Sequence, residues 1–269
     1  MADLQTTADN QSIISHKGYV MLKNEREREI LSFLKEHDGF ATVKELCEKL
    51  YASESSIRRD LSTLESRRVI RRTHGGAELV TNVSGGIGFN QRAHHNINAK
   101  KAIAKKAATL IKDGDIIFLD QSSSAFYLAS EISGNNSLTV VTNNIEIISL
   151  LSSSGVKTIS SGGMLSTENR TCLVGSDAHY IFENIRADLV FFSAKSLSRD
   201  RVISDCVREE VLVRAAMLKN AAKKVFLCDC EKFGTQSAYK QCALSDIDYL
   251  VSESDKVPDF VAAENLTVL

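Results

Sequence analysis

From Leu22 the chain sets hydrophobic positions at a helical period. Ile30, Leu31, Phe33 and Leu34 form an apolar stripe, and Glu25, Arg26, Glu27 and Arg28 read as solvated. His37-Asp38-Gly39 ends that helix. Thr42-Val43-Lys44-Glu45 has the form of a capping box, in which the hydroxyl takes an orphan amide and the glutamate reaches back. It opens a short helix whose Leu46 and Leu50 point inward. Tyr51-Ala52 makes a turn, and Ser53 caps a third helix. On that helix Ile57, Leu61 and Leu64 recur at i, i+4 and i+7. Ser55, Arg59, Ser62 and Ser66 fall on the opposite face, with Arg58 on the flank. Val69-Ile70, His74-Gly75-Gly76 and Leu79-Val80 then read as strand, turn and strand. Two helices crossing sharply before a hairpin is the order of a winged helix-turn-helix.

The pattern changes on either side of this module. Residues 1 to 20 are polar with no sustained period and are expected to be a flexible leader, with Met21 as an alternative start. The stretch 81–96, TNVSGGIGFNQRAHHN, has the glycines and serine of a linker. Beyond it, helices at 97–112, 124–132, 144–152, near 177–186 and at 206–221 alternate with the strands IIFLD, LTVVT, VKTIS, DLVFFSA, KVFLCD and DYLVSE. Short β-branched runs between helices specify an α/β domain with a doubly wound, mainly parallel sheet. The expected division is a leader at 1–20, a winged helix-turn-helix domain at 21–80, a linker at 81–96 and an α/β domain at 97–269.

Composition decides where charge can act. The 269 residues carry a net charge of −1, so affinity for nucleic acid has to come from a local patch. Between Ser55 and His74 six arginines stand against Asp60 and Glu65. Arginine forks onto guanine O6 and N7, serine bonds bases or phosphate oxygens, and arginines on a wing reach phosphate or the minor groove. The candidate DNA-contact set is Ser53, Ser55, Ser56, Arg58, Arg59, Ser62, Arg71, Arg72 and His74. The plain alternative is a solvated amphipathic helix. Six scattered cysteines form no paired CxxC sites, which points to free thiols in a reducing cytosol, and no metal or cofactor is expected. A run of about 18 apolar residues and a signal peptide are both missing, so the expectation is a soluble cytoplasmic protein with no membrane partner.

In an open parallel sheet a ligand sits beyond the carboxyl ends of the strands, where helix N-termini offer free N–H groups. Those ends carry Gln121-Ser122-Ser123-Ser124, Asn143-Asn144, Ser161-Gly162-Gly163, Lys195, and Asp229 with Lys232 close behind. Hydroxyls, amides, glycines and two lysines on one edge suit a polyhydroxylated, phosphorylated small molecule. Against this stands the general polarity of exposed strand ends.

The IRRDLSTLE core followed by the RTHGGA turn resembles the N-terminal domain of the DeoR-type family of bacterial transcriptional repressors, and the resemblance runs on through Phe233-Gly234. It implies a sugar-isomerase-like effector domain behind the winged helix. It also implies repression of carbohydrate-metabolism genes, modulated by a sugar phosphate or related metabolite. On the family's pattern, Asp120, Ser123, Ser124, Thr142, Asn143, Gly162, Gly163, Gly175, Asp229 and Lys232 fall at matching positions. Ser122 replaces a loop glycine, and Ser193 and Lys195 replace the glycine and acid of a later turn. A lost glycine limits how near the backbone comes to a phosphate, which implies an effector somewhat different from the simple sugar phosphates usual in the family. The expected effector set is thus Asp120, Ser122, Ser123, Ser124, Thr142, Asn143, Gly162, Gly163, Lys195, Asp229 and Lys232. A dimer or tetramer follows from the few base pairs one winged helix can read. Two other readings stay open. One is an isomerase-like enzyme drawing on Asp120, Asp229 and Glu209, although no GxSxG or HExxH pattern is present and no catalytic residue is assigned. The other is a C-terminal half that only dimerises.

Overall fold

Two hydrophobic periods build separate cores, one for each half of the chain. The computed structural model describes residues 23–37, 39–67, 69–73, 75–79, 89–262 and 266–269, with the backbone alone at 90 and 91. The expected leader, His74 and residues 81–88 of the expected linker lie outside the described residues.

The first half runs α1 (Lys23–Glu36), β1 (Phe40–Thr42), α2 (Val43–Leu50), α3 (Glu54–Ser66), β2 (Ile70–Thr73) and β3 (Gly76–Leu79). Ile57, Leu61 and Leu64 of α3 meet Ile30 and Leu34 of α1 and Leu46 and Leu50 of α2 in one buried cluster. The capping box forms as the sequence implies. The Glu45 amide donates to Thr42 Oγ1 at 3.1 Å, and the Thr42 amide donates to Glu45 Oε2 at 2.8 Å. Ser53 Oγ accepts from the Ser56 amide at 3.3 Å and so caps α3. Tyr51 ends α2 in the left-handed region at φ 50°, with its ring 97% exposed.

Two features escaped the periodicity. The wing has a third strand, β1, which pairs antiparallel with β3 in the order β1-β3-β2. It is only three residues long, too short to show a period. A Cβ at Gly76 would lie 2.4 Å from the Ala41 carbonyl oxygen, so the close approach of β3 to β1 requires glycine there. The other feature is charge inside the domain. Glu27, expected on the solvated face, is buried and accepts from Arg67 Nη1 at 2.8 Å. Asp60 is 1% exposed and paired with Arg26 of α1. Both acids lie where α1 packs on α3, and each is retained by an arginine from the other side of that contact.

The second half runs α4 (Phe89–His94), α5 (Ile97–Ala108), β4 (Ile116–Leu119), α6 (Ser123–Glu131), β5 (Thr139–Thr142), α7 (Ile145–Ser152), β6 (Lys157–Ser160), β7 (Met164–Leu165), β8 (Leu173–Val174) and α8 (Ser176–Asn184). It continues with β9 (Ala187–Phe192), β10 (Ser196–Leu197), β11 (Val202–Asp205), α9 (Arg208–Lys219), β12 (Ala221–Leu227), β13 (Tyr239–Ala243), β14 (Tyr249–Val251) and β15 (Thr267–Val268). Among the described residues seven strands form one sheet in the order β15-β14-β12-β9-β4-β5-β6, and every pairing in it is parallel. The chain starts at β4, winds out to β6, then returns to place β9 on the other side of β4. The crevice between the ends of β4 and β9 is therefore the switch point of a doubly wound sheet. Separate apolar clusters cover its two faces.

The expected helices and the main strands are present, and the small antiparallel additions β7-β8 and β10-β11-β13 are new. Residues 89–94, inside the stretch that read as a linker, form α4. Phe89 packs edge-on against Phe126 at 5.7 Å, and Tyr127 Oη donates to the Ala93 carbonyl at 2.9 Å. Among the described residues no helix is long and apolar enough to cross a membrane.

Removing one partner of a buried ion pair leaves the other charge uncompensated, at a cost of about 3 kcal/mol or more. Asp60→Ala is accordingly expected to destabilise the N-terminal domain by about 3 kcal/mol in urea unfolding. A change within about 0.5 kcal/mol would show that Arg26 and Asp60 do not support the fold.

Candidate DNA-reading face and ligand cleft

The exposed side of α3 carries the serines and arginines. Ser53 Oγ lies 3.0 Å from Ser55 Oγ and 2.9 Å from Ser56 Oγ, a hydroxyl cluster at the helix start. Arg58 is held by Glu54, one turn back, with Nη2 2.6 Å from Oε1. Arg59 is exposed and has no ion pair among the described residues. Ser62 Oγ donates to the Arg58 carbonyl and accepts from Arg72 Nη1 at 2.8 Å, so Arg72 leans from the wing onto the outer face of α3. Arg71 is turned the other way. Its Nε lies 3.3 Å from Glu78 Oε1, and it lines the cleft described below. Successive strand residues face opposite sides, and Arg71 and Arg72 accordingly point away from each other.

At the switch point one carboxylate organises the loops. Asp120 Oδ1 accepts from the Ser122 amide at 3.0 Å, and Oδ2 accepts from the Ser193 amide at 3.1 Å and from Arg214 Nε at 3.0 Å. Arg214, 1% exposed, also donates from Nη1 to Gln241 Oε1, and the same nitrogen lies 3.0 Å from Asp205 Oδ2. Burial opposes its charge, but Asp205, Asp120 and Glu210 raise its pKa above the usual arginine value. Glu210, one turn before Arg214 on α9, accepts from Gln121 Nε2 at 3.0 Å and from Asn169 Nδ2 at 2.9 Å.

Over this network lies a cleft of about 760 Å³. Its floor includes Ser122, Ser123 and Ser124 at the start of α6, Ser193 and Lys195 after β9, and Asp229 and Lys232 after β12. Lys232 Nζ donates to Ser193 Oγ at 2.5 Å and lies 3.2 Å from Asp229 Oδ2. Burial works against the Asp229 charge, yet Lys232 and Lys100 hold its carboxyl below the usual carboxylate range. Lys100 of α5 is 4% exposed, and its Nζ donates to the His95 carbonyl. Burial, then the neighbouring Lys232, lowers its pKa to about 8. Ser124 Oγ, in the same lining, is buried with no hydrogen-bond partner among the described residues.

Of the expected effector residues, the cleft gathers Ser122, Ser123, Ser124, Lys195, Asp229 and Lys232. Asp120 lies beneath it with its oxygens already engaged. Thr142 and Asn143 lie off the cleft: Thr142 Oγ1 accepts from the Asn144 amide, and Asn143 Nδ2 donates to the Leu173 carbonyl beside β8. Gly162 and Gly163 make the left-handed turn from β6 to β7, where a Cβ on Gly163 would come within 2.5 Å of the Val174 carbonyl oxygen. Ser122 is not strained by replacing a glycine. It adopts φ −76°, and its side chain caps α6 by accepting from the Ala125 amide. Three cleft residues lacked a motif: Arg92, Lys100 and Glu210. Lys100 and Glu210 read as ordinary charged helix positions, and Arg92 was hidden in a stretch judged by its glycines.

A winged helix-turn-helix joined to a doubly wound domain with a polar cleft at its switch point defines a DNA-binding regulator with a sensor. Residues 26–83 match the DeoR-like helix-turn-helix domain, and residues 95–254 match the DeoR C terminal sensor domain. The chain belongs to the DeoR family of transcriptional regulators. It is 37% identical to the HTH-type transcriptional regulator GolR of Listeria innocua, over 87% of this chain and 92% of that protein. It is 32% identical to the HTH-type transcriptional repressor GlcR of Bacillus subtilis, over 89% of this chain and 91% of that one. With the L-fucose operon activator of Haemophilus influenzae it shares 31% identity over 88% and 94%. Among solved structures it is similar to ribose 5-phosphate isomerase A from Methanocaldococcus jannaschii, over 50% of this chain and 53% of that one. That match has 18% identity and a TM-score of 0.38, too slight a likeness to bear on function.

The geometry separates the arginines. Arg59→Ala is expected to weaken operator binding by about 1–3 kcal/mol and to relax its sequence preference. Arg72→Ala should weaken binding to all sequences alike and flatten its salt dependence, whereas Arg71→Ala should leave the salt slope near the wild-type value. Gel-shift titrations at several salt concentrations read all three. Equal slopes for the Arg71 and Arg72 variants would contradict the assignment of the two to opposite sides of the wing.

Proposed function

We propose that the protein represses carbohydrate-metabolism genes and that a phosphorylated sugar or related metabolite, bound in the cleft, sets its affinity for the operator. The observation that carries this reading is the buried, unpartnered hydroxyl of Ser124 at the start of α6, in the same cleft as Lys100 and Lys232. A helix start, free hydroxyls and lysines together suit a phosphate, and the acids nearby suit sugar hydroxyls. The name of the L-fucose operon activator is consistent with carbohydrate control, and that of GlcR with repression. Ser53, Ser55, Ser56, Arg58, Arg59, Ser62 and Arg72 form the proposed DNA contact, from a dimer or tetramer whose symmetry matches repeated half-sites. A chromosomal partner implies a cytoplasmic protein. The proposed units are 21–80 and 97–269, with α4 in the connection between them.

Catalysis is the weaker reading. Asp120 is consumed by Arg214 and two amides, and Glu209 is exposed on α9 and does not line the cleft. Cys206 does line it, but burial, with Asp205 and Glu210 adding to it, pushes its thiol up to about 11, which keeps it protonated and poorly nucleophilic. A domain that only dimerises would have no use for an orphan hydroxyl in the same cleft as a desolvated lysine.

A tenfold change in operator affinity needs about 1.4 kcal/mol of coupling between ligand and DNA. Lys232→Ala should lower sugar-phosphate affinity by about 1.5–3 kcal/mol in calorimetric titration of the full chain, and leave ligand-free DNA affinity unchanged. The affinity should also fall as pH rises from about 7 to 9. A bound phosphate favours the charged lysine, so the pKa of Lys100 is higher in the complex than its free value of about 8, and above that value binding must take up a proton. Unchanged affinity in the variant together with a flat pH profile would put the phosphate elsewhere.

A further inference from the structure

The helix that connects the two domains contributes a cation to the cleft. Arg92 of α4 lines it, and two guanidinium nitrogens, Nε and Nη2, are buried without a hydrogen-bond partner among the described residues. A guanidinium stays charged in proteins and offers a planar fork of donors, so its natural partner is an oxyanion held by two bonds. Leaving such donors buried and unmade is costly, and that cost is removed when an anion enters. Glu168 also lines the cleft, and its Oε2 is likewise buried and unpaired, yet it makes no ion pair with Arg92 among the described residues. An unpaired cation and an unpaired carboxylate in one cleft fit a ligand that brings both an anionic group and hydroxyl donors.

The position of α4 gives Arg92 a second consequence. On one side the helix is fixed to the sensor: Phe89 meets Phe126, Tyr127 bonds the Ala93 carbonyl, and His95 Nε2 lies 2.6 Å from Glu231 Oε2 in the turn that carries Lys232. On the other side His94 lies against Phe40 of β1, with ring centroids 5.9 Å apart. Phe40, Thr42 and Thr73 of the wing sheet line the same cleft, and Thr73 Oγ1 too is buried without a hydrogen-bond partner among the described residues. The cleft is therefore lined by the sensor, the connecting helix and the edge of the DNA-binding domain.

We propose that Arg92 binds the ligand's anionic group. By holding it from the helix that joins the two domains, Arg92 couples occupancy of the cleft to the placement of the wing sheet. This rests on the phosphate reading of the cleft given above, and it adds the residue through which the signal leaves the sensor. The consequence is a division of labour. Lys232 and Ser124 hold the anion to the sheet, and Arg92 ties the same anion to α4.

The test uses the full chain with inorganic phosphate as the probe, read by calorimetry and by amide hydrogen exchange. In the wild type, phosphate should bind and slow exchange in α6, in α4 and in β1. Arg92→Gln should bind phosphate at least tenfold more weakly. At phosphate concentrations that saturate the variant, α6 should still be protected while the protection of α4 and β1 is lost. Arg92→Lys, which keeps the charge and loses the fork, should fall between the two and serves if the glutamine variant does not fold. Arginine variants that bind phosphate and protect β1 like the wild type overturn the proposal, while leaving the cleft reading intact. Failure of the wild type to bind phosphate defeats both.

Discussion

The sensor depends on a single buried carboxylate. Asp120 ends the strand from which the parallel sheet winds in both directions, and its two oxygens bond the amides after β4 and β9 while holding Arg214. Parallel strands cannot be joined by a tight hairpin, so nothing in the chain's connectivity fixes how the ends of β4 and β9 lie beside each other. The β4–β9 ladder sets their register, and the bonds of Asp120 fix the loops that follow. These bonds set the start of α6, which presents Ser123 and Ser124, and the backbone of Ser193, whose hydroxyl receives Lys232. A charge at this depth is tolerable because Arg214 meets Asp120 and Asp205 together and Glu210 is satisfied by two amide side chains. The cleft is therefore rigid beneath, and its free hydrogen-bonding capacity lies above, in Ser124, Arg92 and Glu168.

Much of this was legible in the sequence because it depends on local rules. The 3.6-residue stripe located the three helices of the reading domain, the T-x-x-E spacing located a cap, and short β-branched runs located the parallel sheet. What remained hidden depends on partners far along the chain. Asp60 looked like one more exposed acid of a basic helix, and only the packing of α1 on α3 reveals that it belongs to Arg26. Asp120, Thr142 and Asn143 share the polarity of strand ends with Lys232, yet they are spent on loop geometry. Polarity at a strand end does not tell a ligand contact from a turn tether, because both need the same atoms. Arg92 was obscured for a different reason: the glycines before it suggested a linker, and helix α4 begins immediately after them.

The two halves use charge in opposite ways. In the reading domain the acids are taken up by internal pairs, Glu27 with Arg67, Glu54 with Arg58 and Asp60 with Arg26. That leaves Arg59 and Arg72 without an ion pair among the described residues, beside the exposed Arg58, so a chain with a net charge of −1 can still present a basic face along α3. In the sensor the cations are gathered inward around a desolvated lysine, where a dianion is worth more than on the surface. Communication between the halves needs only the small coupling energy of a tenfold affinity change, which a few charge-assisted bonds reaching both sides of one cleft can supply.

The central claim is that the sensor reads a phosphorylated metabolite through its charge. The most direct measurement is the fluorescence anisotropy of a labelled operator duplex with the full chain, titrated with a panel of sugar phosphates and with each parent sugar lacking the phosphate. The account predicts that at least one phosphorylated member shifts operator affinity tenfold or more while its parent sugar, at the same concentration, leaves it unchanged. An equal shift by the parent sugar, or no shift by any member of the panel, would contradict it.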